Sequence, residues 1–515
     1  MSAVITLENV SWAYARAGEW ALAHISLTVE EGEFIAVMGA NGAGKTSFCR
    51  LLNGLIPHSL PGKLLGKVTV DGMATASCTV AGLARKVGTV FEDPQTQLFT
   101  ARAGDEAAFA LENMRLPPDQ IRERAAWALD AVGLSAYTDY APSTLSGGQK
   151  QRLAIAAALA MAEKILVLDE PASQLDPDGA REVLSLIRDL RISKHLTVIM
   201  ATNSSAEAAE FAGRICVLKN GRLAACDTPQ RIFAGSRLLD DCAIAAPLER
   251  NTLCNTERIA ECNAKCNTEC NTNLTTEYTE FLVRESSFLR ETPWLINSDN
   301  AVINIEHLYY QYNADNIILN DVNLAIGEND FTVIMGHNGC GKTTLLKNMS
   351  GLLRPSRGRI LLRGRDTAEM SVAEIAGQVG FVMQESDRQL FESTVYDEVA
   401  FALKRGAQGR GAKELKNEIR DKVEEALSAV GLLDKRDHFP LALNRADRVK
   451  AVFAGVLAMG PRVIMLDEPF AGQDMSGCRL ISGILADLHQ KGYTILVVTH
   501  NISVVAEYAR RIVQM

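Results

Sequence analysis

The sequence predicts an α/β fold built around mainly parallel sheets. Short, β-branched apolar runs bounded by loops, at residues 34–39, 165–170 and 196–201, are typical of buried parallel strands. The intervening stretches 121–134 and 422–432 have the amphipathic period of helices. Since these strands alternate with helices along the chain, an α/β class is indicated.

The sequence contains two copies of one domain. GANGAGKT at 39–46 recurs as GHNGCGKT at 336–343, and ILVLDEP at 165–171 recurs as VIMLDEP at 463–469, at nearly equal offsets. We therefore expect a first domain at 1–235, a linker at 236–300 and a second domain at 301–515. No counterpart of VLKNGRLAACDTPQRIF, at 217–233, follows in the second copy, so the second domain is expected to be short at its C-terminal side.

The predicted linker is polar and rich in cysteine, asparagine and threonine. On a helix, Cys262, Cys266 and Cys270 would share one face, which leaves a metal site open as an interpretation. The close-paired spacing of zinc ligands and a nearby histidine are both missing from the segment, which favours a low-complexity tether.

Composition narrows the classes of function. A formal net charge of −9 argues against nucleic acid as the main partner, because phosphate binding normally shows as a basic excess. The sequence has no apolar run long enough for a spanning helix and starts without the pattern of a signal peptide. Eleven cysteines in a chain of 515 residues without an export signal are not expected to form a disulfide framework.

The repeated GxxxxGKT pattern predicts two nucleotide sites. After an apolar strand, it supplies backbone N–H groups that point at phosphates, a lysine for the β and γ oxygens and a hydroxyl for Mg²⁺. Thr46 and Thr343 are the predicted hydroxyl ligands of Mg²⁺. The full set of candidate nucleotide-binding residues in the two motifs is Gly39, Asn41, Gly42, Gly44, Lys45, Thr46 and Ser47 with Gly336, Asn338, Gly339, Gly341, Lys342, Thr343 and Thr344.

Paired carboxylates follow a later strand in each copy. Asp169 and Asp467 are expected to hold Mg²⁺ through water, and Glu170 and Glu468 to polarise an attacking water. The alternative is a solvated acidic loop. The matched spacing of both pairs to the phosphate motifs favours the catalytic interpretation.

The string LSGGQKQR at 145–152 resembles the signature of the ATP-binding-cassette (ABC) family, and the resemblance covers both halves outside the linker. It implies two P-loop NTPase domains, each with a helical subdomain, that hydrolyse ATP with Mg²⁺. It also implies that Ser146, Gly147, Gly148 and Gln149 serve the nucleotide held by the opposite domain, so the two domains pair within the chain. In that family Gln384 would sense Mg²⁺ and the attacking water, and His500 would be the switch histidine.

Two tyrosines precede the phosphate motifs at similar distances. Tyr14 and Tyr312 resemble the family's aromatic residue that stacks on adenine. A tyrosine beside a strand can equally belong to the core or the surface.

A finer resemblance is to the paired ATPases of energy-coupling-factor transporters, carried by residues 91–117 and 383–406. It implies a groove at 95–115 and 387–404 that receives helices of a membrane-embedded scaffold subunit, while a separate small membrane protein captures a vitamin or transition-metal ion. The chain would then lie on the cytoplasmic face of the membrane as a peripheral protein. The alternative is that these helices are an ordinary part of the protein surface and bind no partner.

Departures from the family pattern collect in one predicted site. The second signature is LNRADRVK at 443–450, and the first copy has Glu92 and Asn203 where the second keeps Gln384 and His500. Because the family combines the phosphate loop of one domain with the signature of the other, one complete and one degenerate site are expected. The complete site would be Lys342, Thr343, Gln384, Asp467, Glu468 and His500 with Ser146, Gly147 and Gly148, and the degenerate site Lys45, Thr46, Glu92, Asp169, Glu170 and Asn203 with Asn444, Arg445 and Ala446.

A second class of function is a soluble tandem cassette of the translation-factor type that acts on ribosomes. Such proteins join their domains by a strongly charged helical arm and usually keep both signatures. The nearly uncharged linker and the lost second signature favour the transport motor instead. A tandem cassette of DNA repair would need large insertions for which this length leaves no room.

Overall fold

The computed structural model describes residues 3–15, 18–173, 175, 177–244, 301–313, 316–337, 339–384, 386–406, 412–500, 505 and 508–515. The chain forms two compact units, one for each sequence copy, which we call domain 1 and domain 2. This agrees with the repeat and the α/β class that the sequence predicts.

The elements of domain 1 follow the expected alternation. Its described strands are β1 (Ala3–Tyr14), β2 (Leu22–Glu30), β3 (Phe34–Met38), β4 (Gly62–Val70), β5 (Met73–Ala74), β6 (Val87–Val90), β7 (Ile165–Asp169), β8 (Thr197–Ala201), β9 (Arg214–Lys219) and β10 (Arg222–Asp227). Its described helices are α1 (Lys45–Leu52), α2 (Leu55–His58), α3 (Val80–Leu83), α4 (Ala103–Asn113), α5 (Pro118–Ala131), α6 (Gly147–Ala160), α7 (Pro177–Lys194), α8 (Ser205–Phe211), α9 (Pro229–Phe233) and α10 (Ser236–Asp241).

Domain 2 repeats most of this order. Its described strands are β11 (Ala301–Asn313), β12 (Asn316–Gly327), β13 (Phe331–Met335), β14 (Arg357–Leu362), β15 (Arg365–Asp366), β16 (Val379–Val382), β17 (Val463–Asp467), β18 (Thr494–Val498) and β19 (Arg511–Gln514). Its described helices are α11 (Lys342–Met349), α12 (Val372–Ala376), α13 (Val395–Gly406), α14 (Ala412–Ala429), α15 (Arg445–Met459) and α16 (Met475–Gln490).

A parallel sheet forms the centre of each domain. In domain 1 the order is β10-β9-β3-β8-β7-β6, in which only β10 pairs antiparallel with its neighbour, and in domain 2 it is β16-β17-β18-β13-β19. Strands β3, β7 and β8 are buried at every residue, as their apolar sequences predict. Because parallel strands end at one edge of a sheet, the loops after β3, β7 and β8 lie together.

A second, antiparallel sheet in each domain was not anticipated from the sequence. Its order is β2-β1-β4-β5 in domain 1 and β12-β11-β14-β15 in domain 2. In domain 1 it packs with α1 and one face of the parallel sheet to form a core in which Trp12 is fully buried.

The helical part of each domain contains the predicted amphipathic helices. Stretch 121–134 lies in α5, which ends at Ala131, and stretch 422–432 lies at the end of α14, which ends at Ala429. Each predicted stretch overruns its helix by three residues because Gly133 and Gly431 adopt φ of 71° and 68°, which ends the helical conformation.

The predicted boundary of domain 1 at residue 235 is too early. Helix α10 follows it, and Leu239, Cys242 and Ile244 are buried in the core of domain 1. The apolar side chains of α10 and of the residues after it therefore extend the domain to at least residue 244. The rest of the predicted linker, with Cys254, Cys262, Cys266 and Cys270, lies outside the described residues.

Candidate functional site

Each phosphate motif forms a tight loop between a buried strand and a helix. Gly39 adopts φ of 150°, and a Cβ there would collide with the Leu218 carbonyl oxygen. Gly44 adopts φ of 105° at the start of α1, where a Cβ would lie 2.6 Å from the Ala21 carbonyl oxygen. Gly336 and Gly341 repeat these conformations in domain 2. Glycine at these positions lets the backbone N–H groups and the helix N-terminus face an anion.

The motif lysines are held within the loops that they serve. Lys45 is 7% exposed, and its Nζ donates to the Gly39 carbonyl oxygen at 2.8 Å. Lys342 Nζ donates to the carbonyl oxygens of Gly336 at 2.7 Å and His337 at 2.9 Å. A buried ammonium bonded to its own loop is placed to meet the β and γ phosphates.

In each domain, the threonine and the aspartate that are predicted to hold Mg²⁺ come together. Thr343 Oγ1 donates to Asp467 Oδ2 at 2.6 Å, and the Thr46 hydroxyl makes the corresponding hydrogen bond to Asp169. Within the described part of the chain, Asp169 Oδ1 and Asp467 Oδ1 are buried without a hydrogen-bond partner. A threonine hydroxyl beside an unsatisfied carboxylate oxygen fits Mg²⁺, which neutralises the phosphate oxygens when bound.

Burial changes the protonation of these aspartates. It raises the pKa of Asp169 to about 6, against the lowering effect of the Thr46 hydroxyl, and the Glu92 charge raises it further. Burial likewise raises the pKa of Asp467. A bound cation would reverse both shifts.

The predicted catalytic glutamates follow β7 and β17 in an unusual backbone conformation. Glu170 and Glu468 both adopt φ of 49°, and their N–H groups donate to the carbonyl oxygens of Ala201 and Val498 at 2.9 Å. This left-handed turn is costly for a glutamate and is held by the neighbouring strand. Burial raises the pKa of Glu170 to about 8 and that of Glu468 to about 7.

The switch position differs between the two domains. His500 Nε2 lies 3.2 Å from Glu468 Oε1, and the His500 N–H donates to Glu468 Oε2 at 3.3 Å. In domain 1, Asn203 Oδ1 instead accepts from Lys45 Nζ at 2.9 Å, while its Nδ2 donates to Asn41 Oδ1 at 3.2 Å. The side chain that contacts the predicted catalytic carboxylate in domain 2 is thus replaced in domain 1 by one that contacts the phosphate-loop lysine.

Glu92 also changes the charge of the first site. Its negative charge contributes to the raised pKa of both Asp169 and Glu170. Gln384, at the corresponding place in domain 2, is neutral. The substitution therefore adds a negative charge that raises the pKa of the two carboxylates predicted to hold Mg²⁺ and to activate water.

The first signature opens helix α6. Ser146 is exposed and caps the helix, since its Oγ accepts from the Gln149 N–H at 3.3 Å and Gln149 Oε1 accepts from the Ser146 N–H at 2.9 Å. Gly147 is exposed as well. The predicted ligand Gln149 therefore has a capping role, and the helix N-terminus presents bare backbone.

In domain 2, helix α15 begins with a carboxylate of its own. Asn444 caps it, and Asp447, at the position of Gln149, is 5% exposed. Asp447 accepts from Lys435 Nζ at 2.6 Å and from Lys450 Nζ at 3.2 Å. Burial alone would raise the pKa of Asp447, but the hydrogen bonds and charges of the two lysines hold it below its usual value. The anion-binding end of this helix is thus already occupied by an internal anion.

The two candidate adenine-stacking tyrosines are not equivalent. The Tyr14 hydroxyl is 2.8 Å from Ser47 Oγ, and its ring packs edge-on against Trp12. Tyr312 is 52% exposed and packs edge-on against Tyr310. The Tyr312 ring is therefore the more accessible of the two, whereas the Tyr14 hydroxyl contacts Ser47 at the start of α1.

The remaining motif residues have simpler surroundings. Gly42 and Gly339 face open space, while Ser47 and Thr344 are buried at the starts of α1 and α11. Asn338 and the side chain of Arg445 lie outside what the structure describes.

Sequence reasoning missed two acidic residues near these elements. Asp447 does not belong to the family signature, although an aspartate three residues after a capping residue indicates a charged helix start. Glu207, in α8, accepts from Thr202 Oγ1 at 3.0 Å, and burial raises its pKa to about 7. Its charge in turn raises the pKa of Glu170, an effect that no motif signals.

Comparisons with a family model and with known proteins agree on one family. The sequence model of the family described as ABC transporter matches residues 22–173 and 319–471. The chain is similar to a protein of Caldanaerobacter subterraneus subsp. tengcongensis assigned as an ABC transporter ATP-binding protein, with 36% identity over 96% of this chain and 86% of that protein. A protein of Methanosarcina mazei with the same assignment is 34% identical over 100% of this chain and 87% of its own length.

Solved structures with similarity include cbiO1 from Clostridium perfringens, described as part of the ABC transporter complex cbiONQ. It is 29% identical, with a TM-score of 0.43, over 51% of this chain and 100% of its own. The ATP-binding cassette MJ0796 bound to ADP and Pi is 27% identical, with a TM-score of 0.40, over 44% of this chain and 98% of its own. Among the helices that the structure describes, none combines the length and apolar character that a bilayer span requires.

Proposed function

Because the chain belongs to the ABC transporter family, as a tandem ATPase that binds ATP with Mg²⁺, we propose that it is the motor subunit of an energy-coupling-factor importer. The cargo would be a vitamin or a metal ion. In this proposal the chain lies on the cytoplasmic face of the membrane and binds an integral scaffold subunit, and a separate membrane subunit captures the cargo.

The observation that carries the proposal is a pair of packed phenylalanines, of which the first is exposed, repeated in both domains. Phe99 packs edge-on against Phe109 with ring centroids 4.7 Å apart, and Phe391 packs against Phe401 at 4.6 Å. Phe99 is 65% exposed and Phe391 60%. We call these the aromatic pairs. Exposed aromatic side chains at the same place in two copies favour a binding surface.

The loops that present the aromatic pairs are built alike. Buried Glu106 Oε2 accepts from the Phe99 N–H at 3.0 Å, and Glu398 Oε2 accepts from the Phe391 N–H at 2.8 Å. This carboxylate fixes each loop to the following helix, α4 or α13. An exposed apolar side chain on a fixed loop suits the capture of a partner helix, because little conformational freedom is lost on binding.

Catalytic asymmetry is the second part of the proposal. Domain 2 keeps Gln384 and places His500 beside Glu468, whereas in domain 1 Asn203 engages Lys45. In the arrangement that the family resemblance implies, the phosphate loop of domain 2 would work with the intact signature of domain 1. The phosphate loop of domain 1 would work with a signature helix that already carries Asp447. One site would then turn over ATP and the other would mainly hold it.

The docking proposal is tested with the double variant Phe99→Ala, Phe391→Ala. We expect it to lose co-purification with membrane proteins while keeping basal ATPase activity, because both positions lie outside the phosphate motifs and neither residue is predicted to bind nucleotide. Charge reversal at Asp105 or Asp397 is a poorer test, since Asp105 pairs with Arg102 at 3.1 Å and Asp397 with Lys404 at 2.8 Å at the helix starts.

Matched controls are Ile192→Ala and Leu352→Ala, which remove exposed apolar side chains, 65% and 50% exposed, outside the aromatic pairs. These variants should retain the membrane partners. Unchanged co-purification of the Phe99→Ala, Phe391→Ala variant would contradict the docking proposal. Sedimentation of the chain with ribosomes in place of membranes would support the translation-factor alternative.

A further inference from the structure

Two cysteines face each other across the hairpin at the edge of the parallel sheet in domain 1. Cys216 in β9 and Cys226 in β10 are register partners on antiparallel strands. Their Sγ atoms lie 2.8 Å apart. Cα atoms of directly opposed residues in such a pair are about 4.5–5.5 Å apart, within the range of about 4.4–6.8 Å that a disulfide spans. The backbone therefore already brings the two thiols to bonding geometry.

The two thiols differ in exposure and acidity. Cys216 is 1% exposed and belongs to the core of domain 1, whereas Cys226 is half-buried on the edge strand. The hydrogen bond between the two thiols lowers the pKa of Cys226 and the Arg214 charge lowers it further, whereas the same hydrogen bond and burial raise the pKa of Cys216. Cys226 is thus the accessible nucleophile and Cys216 the residue able to resolve it.

We propose that Cys216 and Cys226 are a reversible thiol–disulfide site, which closes on reaction with a low-molecular-weight disulfide. The inference does not depend on the proposed function. The Cys226 thiolate attacks one sulfur of the oxidant, its S–S bond breaks, and one thiolate leaves and takes up a proton. Cys216 then loses its proton to solvent and attacks the Cys226 sulfur, which expels the second thiolate. Two protein thiols are oxidised and one small disulfide is reduced to two thiols.

The cysteine pair lies beside the strand and turn that support the phosphate loop of domain 1. Cys216 is the parallel register partner of Val37 in β3, and the Leu218 carbonyl oxygen abuts Gly39. At the hairpin turn, the Gly221 N–H donates to the Ala43 carbonyl oxygen at 3.1 Å. A cross-link between β9 and β10 would therefore fix the hairpin that supports this loop.

The test uses the full chain with Cys254, Cys262, Cys266 and Cys270 replaced by serine, so that these cysteines cannot exchange with the pair. The folded protein is incubated in buffers of reduced and oxidised glutathione, alkylated and digested, and the peptides are weighed. We expect a cross-linked product of Cys216 and Cys226, two hydrogens lighter than the reduced peptides, with loss of two titratable thiols per chain and full reversal by dithiothreitol.

Single substitutions separate the roles of the two thiols. Cys216→Ser should stop the reaction at a stable mixed disulfide of glutathione on Cys226, and Cys226→Ser should give neither product. Cys49→Ser, which removes another buried thiol of the same core, should leave the cross-link unchanged. The proposal is overturned if both thiols stay reduced in excess oxidant while circular dichroism shows a folded chain. It is also overturned if the cross-link appears only after unfolding in urea.

Discussion

At the residue scale, burial dominates the electrostatics of both candidate sites. Desolvation is the largest cause of the raised pKa of Asp169, Glu170, Asp467 and Glu468. Each carboxylate therefore binds protons more readily than in water, and a bound cation would favour its ionised form. The residue types at these positions could be predicted from the motifs, but the positive φ of Glu170 and Glu468 and the protonation of all four carboxylates depend on the tertiary structure.

Glu207 gives a prediction at this scale. Burial raises its pKa from 4.5 to about 7, so the stability it contributes is fully present below pH about 4.5 and is lost as pH rises through about 7. Glu207→Gln keeps an acceptor for Thr202 and removes the buried charge. We expect the variant to stabilise domain 1 by about 1–3 kcal/mol at pH 8, which raises its thermal midpoint. Its stability should also fall less than that of the unsubstituted chain as the pH rises from 4.5 to about 7.

The measurement is thermal unfolding at a series of pH values from 4.5 to 8.5, with Glu123→Gln on the exposed face of α5 as the control. The control should follow the unsubstituted chain at every pH. A stability difference for Glu207→Gln that does not change with pH would contradict the buried-charge explanation.

At the element scale, the parallel strands were predictable and the antiparallel sheet was not. Strands β3, β7 and β8 are short, apolar and bounded by loops, so the predicted runs match them to within a residue. Strand β1 has register shifts against β2 and an Asn9 with φ of 49°, which interrupt the alternation of apolar and polar residues. Such irregularity obscures the two-residue alternation by which a strand is predicted from sequence.

The two signature helices differ in how their first turns are stabilised. Helix α6 uses a neutral capping box of Ser146 and Gln149, whereas α15 uses Asn444 and the ion pairs of Asp447 with Lys435 and Lys450. Tyr137 and Arg152 stand at the lysine positions in domain 1. The loss of the second signature is therefore accompanied by a replacement network, which a motif comparison does not reveal.

Alanine at the same position of the two helices measures this difference. Asp447→Ala leaves two lysines without their carboxylate and should cost about 2–4 kcal/mol, less than a fully buried pair because Lys435 is partly exposed. Gln149→Ala removes half of a capping box and should cost about 0.5–1 kcal/mol. Hydrogen exchange of the amides in α6 and α15 reports each helix separately. Equal loss of protection in the two variants would show that Asp447 acts only as a cap.

At the scale of the whole molecule, the two copies share a fold but not a complete set of reacting groups. The parallel sheets, phosphate loops and buried Asp-Glu pairs are repeated, as the sequence predicts. The differences are concentrated at Glu92 and Asn203 in domain 1 and at the start of α15 in domain 2. A motif comparison could locate these positions, but the contact of Asn203 with Lys45 and the charge on Asp447 required the structure.

ATP turnover should therefore depend on Glu468 far more than on Glu170. Phosphoryl transfer relies on positioned groups and on stabilisation of spread negative charge. In domain 2, Glu468 has His500 3.2 Å away, whereas Glu170 has a pKa of about 8 and faces the added charge of Glu92. Glu468→Gln should lower steady-state ATPase activity by about 10²-fold or more, while Glu170→Gln should leave most of it. Lys45, Thr46 and Asp169 remain in both variants, so nucleotide retention measured by filter binding should persist and serves as the control for folding. Equal loss of ATPase activity in the two variants, or a larger loss in Glu170→Gln, would rule out the asymmetric motor and require both phosphate loops to turn over.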